Sequence, residues 1–202
     1  MKKSEKTQIT KEKIINAAMI EFGENGYGNA SLNRISRDYS ISKGLIYYNF
    51  ENKDNLYLCC VKKAVSGFIS YMGKTDYKDN FNLYMQKRYA FFEENPYCSR
   101  LIFESVSSNN SDFINAVEEQ RGRFFDFNYD IFVKTVDRIK LKKNISKNDA
   151  LEYYTLLQNM LNSYTSVQVF SGKSFNDAWI SREKTLEKIL DYVLYGIAEE
   201  SK

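Results

Sequence analysis

The sequence predicts an all-α protein, and three observations carry that reading. Helix interrupters are scarce: the 202 residues include one proline, Pro96, and nine glycines, residue types that disfavour a helix interior by about 3 and about 1 kcal/mol respectively. Apolar residues recur at three- and four-residue steps along most of the chain, which is the period of an amphipathic helix. Hydrophobic residues make up 43 % of the chain and aromatics 15 %, enough to bury a core without disulfides.

The elements follow in order. Over residues 9–25, Ile14, Ala17, Ala18 and Phe22 form one apolar stripe, while Lys11, Glu12, Asn16, Glu21 and Glu24 take the other positions. Thr10 is the expected N-cap of this helix, and Gly26 its left-handed stop. A loop is expected through Gly28 and Asn29. Ser31 caps a short second helix reaching Asp38, with Leu32 and Ile35 turned inward and Asn33, Arg34 and Arg37 left for other work. After a tight connection at Tyr39 and Ser40, Ser42 caps a third helix whose buried positions are Ile46 and Phe50. Asn52 then caps a fourth helix over residues 53–73, carrying Leu56, Cys60, Ala64 and Phe68 as its core stripe. Further helices are expected over residues 80–94, 96–106, 111–141, 147–170 and 174–199, separated by polar breaks. The chain thus reads as about nine helices, a three-helix head over residues 1–52 and a larger body over 53–202.

Charge and chemistry narrow the function. The net charge is +3, but residues 1–63 hold eleven Lys or Arg against seven Asp or Glu, so the basic excess sits in the first sixty-three residues. A basic head on a near-neutral body suits a polyanion-binding module joined to something else. The three cysteines, Cys59, Cys60 and Cys98, form no disulfide framework and fit a reducing cytoplasm. Neither a secretory signal nor an apolar run of ~18–20 residues is evident, so no membrane association is expected. The chain has no histidine, which removes a Ser-His-Asp triad and any His-based metal site; no glycine-rich phosphate loop or Cys-x-x-Cys pair appears. An enzyme, a cofactor and a metal are therefore not expected.

Two short helices joined by a turn and packed on a preceding helix form the arrangement that lays the second of the pair in a DNA major groove. Lys43 can donate to guanine, Gly44 permits close backbone approach, and Leu45 can meet a thymine methyl. Ser31, Ser42, Tyr47, Tyr48 and Lys53 carry hydroxyls or a cation suited to phosphate oxygens. The stretches Ile14-Ile15-Asn16-Ala17-Ala18, Phe22, Gly26-Tyr27 and Ile35, with the run from Ile41 to Leu56, resemble the TetR/AcrR family of bacterial transcriptional regulators. The most specific part is the Ser42-Lys43-Gly44 to Tyr47-Tyr48 string, followed by Phe50 and Asn52-Lys53; the resemblance covers roughly residues 10–60.

The resemblance implies a dimer that binds a palindromic operator in double-stranded DNA, most often as a repressor, and is released when a small molecule binds the body. Carried over by position, Lys43, Gly44, Leu45, Tyr47 and Asn49 belong to the groove-facing helix, Ser31, Tyr48 and Lys53 touch the backbone, and Asn33 and Arg34 reach a base or phosphate. The chain departs from the family in the turn, where Ser40 stands for a usual glycine and Ser36 and Tyr39 for alanines, and at Leu45, where threonine is common.

In the body, Tyr71, Tyr84, Phe92, Phe103, Phe124, Phe125 and Tyr129 are candidates for lining a ligand pocket, with an ordinary aromatic core as the alternative for each. Tyrosine hydroxyls with Arg100, Arg121, Arg123 and Glu104 are candidate polar handles for a ligand; Glu118, Glu119 and Asp126 instead favour a cationic one, and the sequence does not choose between them. On the last two helices Leu157, Leu161 and Tyr164, with Leu186, Leu190 and Leu194, form the stripes expected to meet a symmetry mate in a four-helix interface. Two rival readings stand beside this one: a DNA-binding protein of the same fold without an effector, and a helical protein-interaction module with a basic head.

Overall fold

The computed structural model describes residues 3–77, 80–104 and 106–198. Among these residues the chain forms nine helices and no strands: α1 (Lys3–Asn29), α2 (Leu32–Asp38), α3 (Lys43–Phe50), α4 (Lys53–Met72), α5 (Phe81–Glu94), α6 (Pro96–Phe103), α7 (Ser111–Val136), α8 (Lys147–Phe170) and α9 (Phe175–Ile197). The all-α expectation and the helix order are met. Most starts follow local chemistry: Ser31, Ser42, Ser146 and Ser174 each accept a backbone N–H of the first turn, and Asn52 and Asn80 do the same for α4 and α5.

Some boundaries differ. Thr10 is not a cap, because α1 begins seven residues earlier and the Thr10 hydroxyl donates to the Lys6 carbonyl inside the helix. The early turns of α1 are polar and exposed, so no apolar period announces them. Gly26 has φ 73 and ψ 169, a conformation essentially confined to glycine, so the regular helix breaks there as expected, with an extended ψ in place of the left-handed helical one, and helical turns resume through Gly28 and Asn29. α7 stops at Val136, five residues short of expectation, and Leu141 instead forms an isolated antiparallel bridge with Ala198. The expected end of α9 at Glu199 lies outside the described residues.

The chain divides into two compact units, residues 1–70 with 95–124, and residues 71–94 with 125–202. In the first, Ile14, Ala18, Phe22, Ile35, Ile46 and Leu56 are buried together with Phe68 and Phe124. Tyr57 sits edge-on to both Phe22 and Tyr27. Close approach of α1 and α6 depends on Gly23, where an added Cβ would lie 2.4 Å from the Cβ of Tyr97. In the second unit, Phe92 meets Trp179 edge-on and Phe132 stacks on Tyr154.

Candidate nucleic-acid interface

The site begins with a carboxylate. Glu21, buried on α1, accepts from the Ser31 backbone N–H at 2.7 Å and from Arg34 Nε at 2.8 Å, while Arg34 Nη2 lies 2.6 Å away and also donates to the Asn29 carbonyl. Hydrogen bonding to Glu21 raises the Arg34 pKa. One side chain therefore fixes the start of α2 and its arginine together. Ser31 Oγ is engaged in accepting from the Asn33 N–H.

The turn into α3 is built without glycine. Ser40 has φ 52, Tyr39 N–H bonds to Ile35 O, and Ile41 N–H reaches back to Ser36 O at 3.1 Å. This is the hydrogen-bond pattern of a helix C-terminus closed by a left-handed residue, anchored by buried Ile41. Serine tolerates that region at a steric cost, and Glu51, at φ 64, does the same after α3.

α3 has two faces. Ile46 and Phe50 are buried, whereas Lys43, Gly44, Leu45, Tyr47 and Tyr48 are exposed, Tyr48 to 82 %. Lys43 Nζ lies 5.9 Å from the Tyr47 ring centroid. A Cβ added at Gly44 would meet nothing within 4 Å, so nothing inside the fold requires glycine there. Asn49 donates to the Leu45 carbonyl at 2.8 Å. Lys53 begins α4 with its ammonium 4.7 Å above the Tyr27 ring and 3.5 Å from the Gly28 carbonyl, and burial lowers its pKa. Tyr27 in turn donates to Asp54, and burial with that carboxylate raises its pKa to about 12.

A model of the bacterial regulatory proteins of the tetR family matches residues 14–59, the stretch just described. Over that stretch the chain is similar to the TetR family. The biofilm operon icaADBC HTH-type negative transcriptional regulator IcaR of Staphylococcus epidermidis is 33 % identical over 73 residues, 36 % of this chain, and the match spans only 39 % of that relative's length. Two solved structures share the fold. FadR of Bacillus subtilis, in complex with stearoyl-CoA, covers 89 % of this chain and 96 % of its own at TM-score 0.62 and 16 % identity. SmeT, in a complex with triclosan, covers 96 % and 93 % at TM-score 0.62 and 19 % identity.

Lys43, Gly44, Leu45, Tyr47 and Tyr48 gather on one open face, with Ser42 at its edge. Arg34 is held by Glu21 and the Asn29 carbonyl, so its first task is structural. Glu21 escaped the sequence reading because it was grouped with the polar positions of α1; its place three and four residues after Ala18 and Ala17 sets it on the apolar stripe. Arg100 and Glu104 are not pocket handles: Arg100 donates to the Glu24 carbonyl at 2.6 Å, and Glu104 accepts from the Tyr27 N–H at 3.0 Å, both fastening α6 to the end of α1. A Cβ at Gly26 would lie 2.1 Å from Glu104 Oε1.

The body residues separate by surroundings. Phe103 and Phe124 pack edge-on, Phe124 also against Phe68, and Tyr71 packs on Phe91. Phe92 is buried against Trp179. Tyr84 lines a cavity of about 210 Å³ with Met72, Tyr77, Phe81 and Lys134. Phe125 and Tyr129 line a separate groove of about 250 Å³. Of the proposed dimer residues, Leu157, Leu161, Leu186 and Leu190 are buried within the chain. Leu194 is half-buried, and Tyr164 is exposed. The exposed apolar face of α8 is Tyr153, Leu156, Met160, Tyr164 and Val167, joined on α9 by Tyr192 and Tyr195.

Proposed function

We propose that the protein is a dimeric, ligand-responsive transcriptional regulator that lays α3 in the major groove of a palindromic operator. The observation that carries this is the division of α3 into a buried face that holds the fold and an open face of Lys43, Gly44, Leu45, Tyr47 and Tyr48 with nothing of its own to pack against. Lys43 and Leu45 suit base edges and Gly44 a close approach, while Ser31, Ser42, Asn33, Tyr48, Asn49 and Lys53 suit the backbone and its flanks. Arg34 contributes by orienting α2. Residues 1–52 serve as the DNA-binding head and residues 53–202 as the body.

A dimer sets two such helices about 34–36 Å apart, one turn of B-DNA. The exposed faces of α8 and α9 supply the surface for a symmetry mate, Leu156 and Met160 at its centre. The negative regulator of S. epidermidis supports a repressor, and the stearoyl-CoA and triclosan complexes support a small-molecule effector in the body. An effector that releases DNA must bind the free protein more tightly than the operator-bound one. No helix among the described residues is long and apolar enough to cross a membrane, and the proposed work on chromosomal DNA supports a cytoplasmic location.

The test is a gel-shift titration on the duplex upstream of the protein's own gene and on a scrambled duplex, at several salt concentrations. Lys43→Ala should flatten the preference between the two, whereas Lys53→Ala should weaken both alike and reduce the salt slope by about one. Equal retention of both duplexes by the wild-type protein would overturn the reading.

A further inference from the structure

The second unit buries a cluster of charge. Glu183 accepts from Arg88 Nε at 2.7 Å and Arg88 Nη2 at 3.0 Å, and from Arg182 Nη1 at 2.7 Å. All three side chains are at most 3 % exposed. Two guanidinium groups thus share one carboxylate, and the three together carry one positive charge out of water, an arrangement whose desolvation is costly. Burial and the neighbouring Arg88 oppose the charge on Arg182, and its pKa is pressed down to about 10 despite Glu183.

The cluster has a route outward. Arg182 Nη2 donates to Gln158 Oε1 at 3.0 Å and to Asn162 Oδ1 at 2.9 Å, and both amides line the 250 Å³ groove between Phe125, Tyr129, Tyr154 and Thr155. Arginine only donates, so each amide has committed its oxygen inward. What each amide offers to a groove occupant is an NH2 donor, with a positive charge behind it and aromatic rings beside it. The one carboxylate on the rim, Asp126, is exposed and screened.

We propose that this groove is the effector site and that its ligand is a small organic carboxylate, its anionic end on Gln158 and Asn162 above Arg182 and its apolar end against Phe125 and Tyr129. This rests on the reading of the body as an effector module. The volume lies below the ~300–1,000 Å³ of sites for drug-sized molecules, which limits the apolar part to a fused ring or a short acyl chain. The second cavity also reaches the cluster, through Tyr84, whose hydroxyl shares Asn128 Oδ1 with Arg88, but its lining carries Lys134 and Arg138 beside Asp76 and no amide that turns an NH2 donor into it.

Thermal unfolding of the full chain with 1-naphthoate or octanoate, beside the uncharged 1-naphthamide and octanamide, tests this at millimolar concentrations. At least one carboxylate should raise Tm and its amide should not. Arg182→Met leaves the Arg88–Glu183 pair neutral, so it should fold, and it should weaken carboxylate binding roughly ten- to a hundred-fold. Thr155→Trp, which fills the groove from its exposed rim and leaves the cluster intact, should abolish the shift. No shift with either carboxylate, an equal shift with the amides, or a shift surviving Arg182→Met or Thr155→Trp overturns the assignment. An amide that acts through the groove and releases DNA would overturn the anion while sparing the effector reading. Failure to retain DNA would overturn the regulator while leaving the Tm result intact.

Discussion

The two units use charge in opposite ways. In the first, buried or half-buried carboxylates hold backbone: Glu21 takes the Ser31 N–H and Glu104 the Tyr27 N–H. Each fixes a helix end, and the exposed face of α3 is left to tyrosines, leucine, glycine and one lysine. In the second, charges hold one another in the interior, with Arg88 and Arg182 on Glu183. A carboxylate that receives a backbone N–H settles geometry locally. Two cations sharing one carboxylate leave an electrostatic demand that a further anion can meet. The first arrangement suits a rigid reading head, the second a responsive body.

The largest expected effect breaks the body's side of this contrast. Glu183→Gln leaves two buried guanidinium groups without their shared carboxylate and should cost ~3–5 kcal/mol, seen as a fall in Tm of roughly 10 °C. An unchanged Tm would mean that the cluster is hydrated and its charge undemanding.

The next effect sharpens the two faces of α3. Ile46→Ala should cost ~2–4 kcal/mol in denaturant unfolding, since Ile46 is 1 % exposed. Tyr48→Ala, two residues on and facing water, should change stability by less than about 0.5 kcal/mol while weakening DNA retention. Equal destabilisation by both would deny α3 its open face.

At Gly44 stability and binding should move in opposite directions. Alanine has space there and is the better helix former, so Gly44→Ala should stabilise by ~0.5–1 kcal/mol, yet its methyl should hinder close approach to DNA and lower affinity. A variant that gained stability and kept full affinity would remove the external reason for the glycine.

The smallest effect concerns the turn. Ser40→Gly relieves a positive φ at some cost in unfolded-chain entropy, so a gain of a few tenths to about 1 kcal/mol is expected, with DNA binding unchanged. A loss of stability would show that the Ser40 side chain supports the turn in its own right.

What the sequence revealed follows from how local the causes are. Ser31, Ser42 and Asn52 could be read as caps because a cap acts within three residues. The string on the open face of α3 was legible because residues at fixed spacing share one helix face. Glu21 was not, since its partners lie ten and thirteen residues away and only packing brings them together. The polar start of α1 carried no period to read. α8 misled in a different way: it has two apolar stripes, Leu157 and Leu161 turned inward and Leu156 and Met160 outward, and a helical period identifies a stripe without saying which neighbour it meets. The Arg88–Glu183–Arg182 cluster was invisible because Arg88 lies ninety-five residues from Glu183.

Amide hydrogen exchange of the full chain, with and without the duplex from upstream of its own gene, tests the central claim most directly. The account predicts added protection in α3, at the start of α2 and at Lys53. Protection elsewhere with α3 unchanged, or none on adding duplex at concentrations that saturate a gel shift, would contradict it.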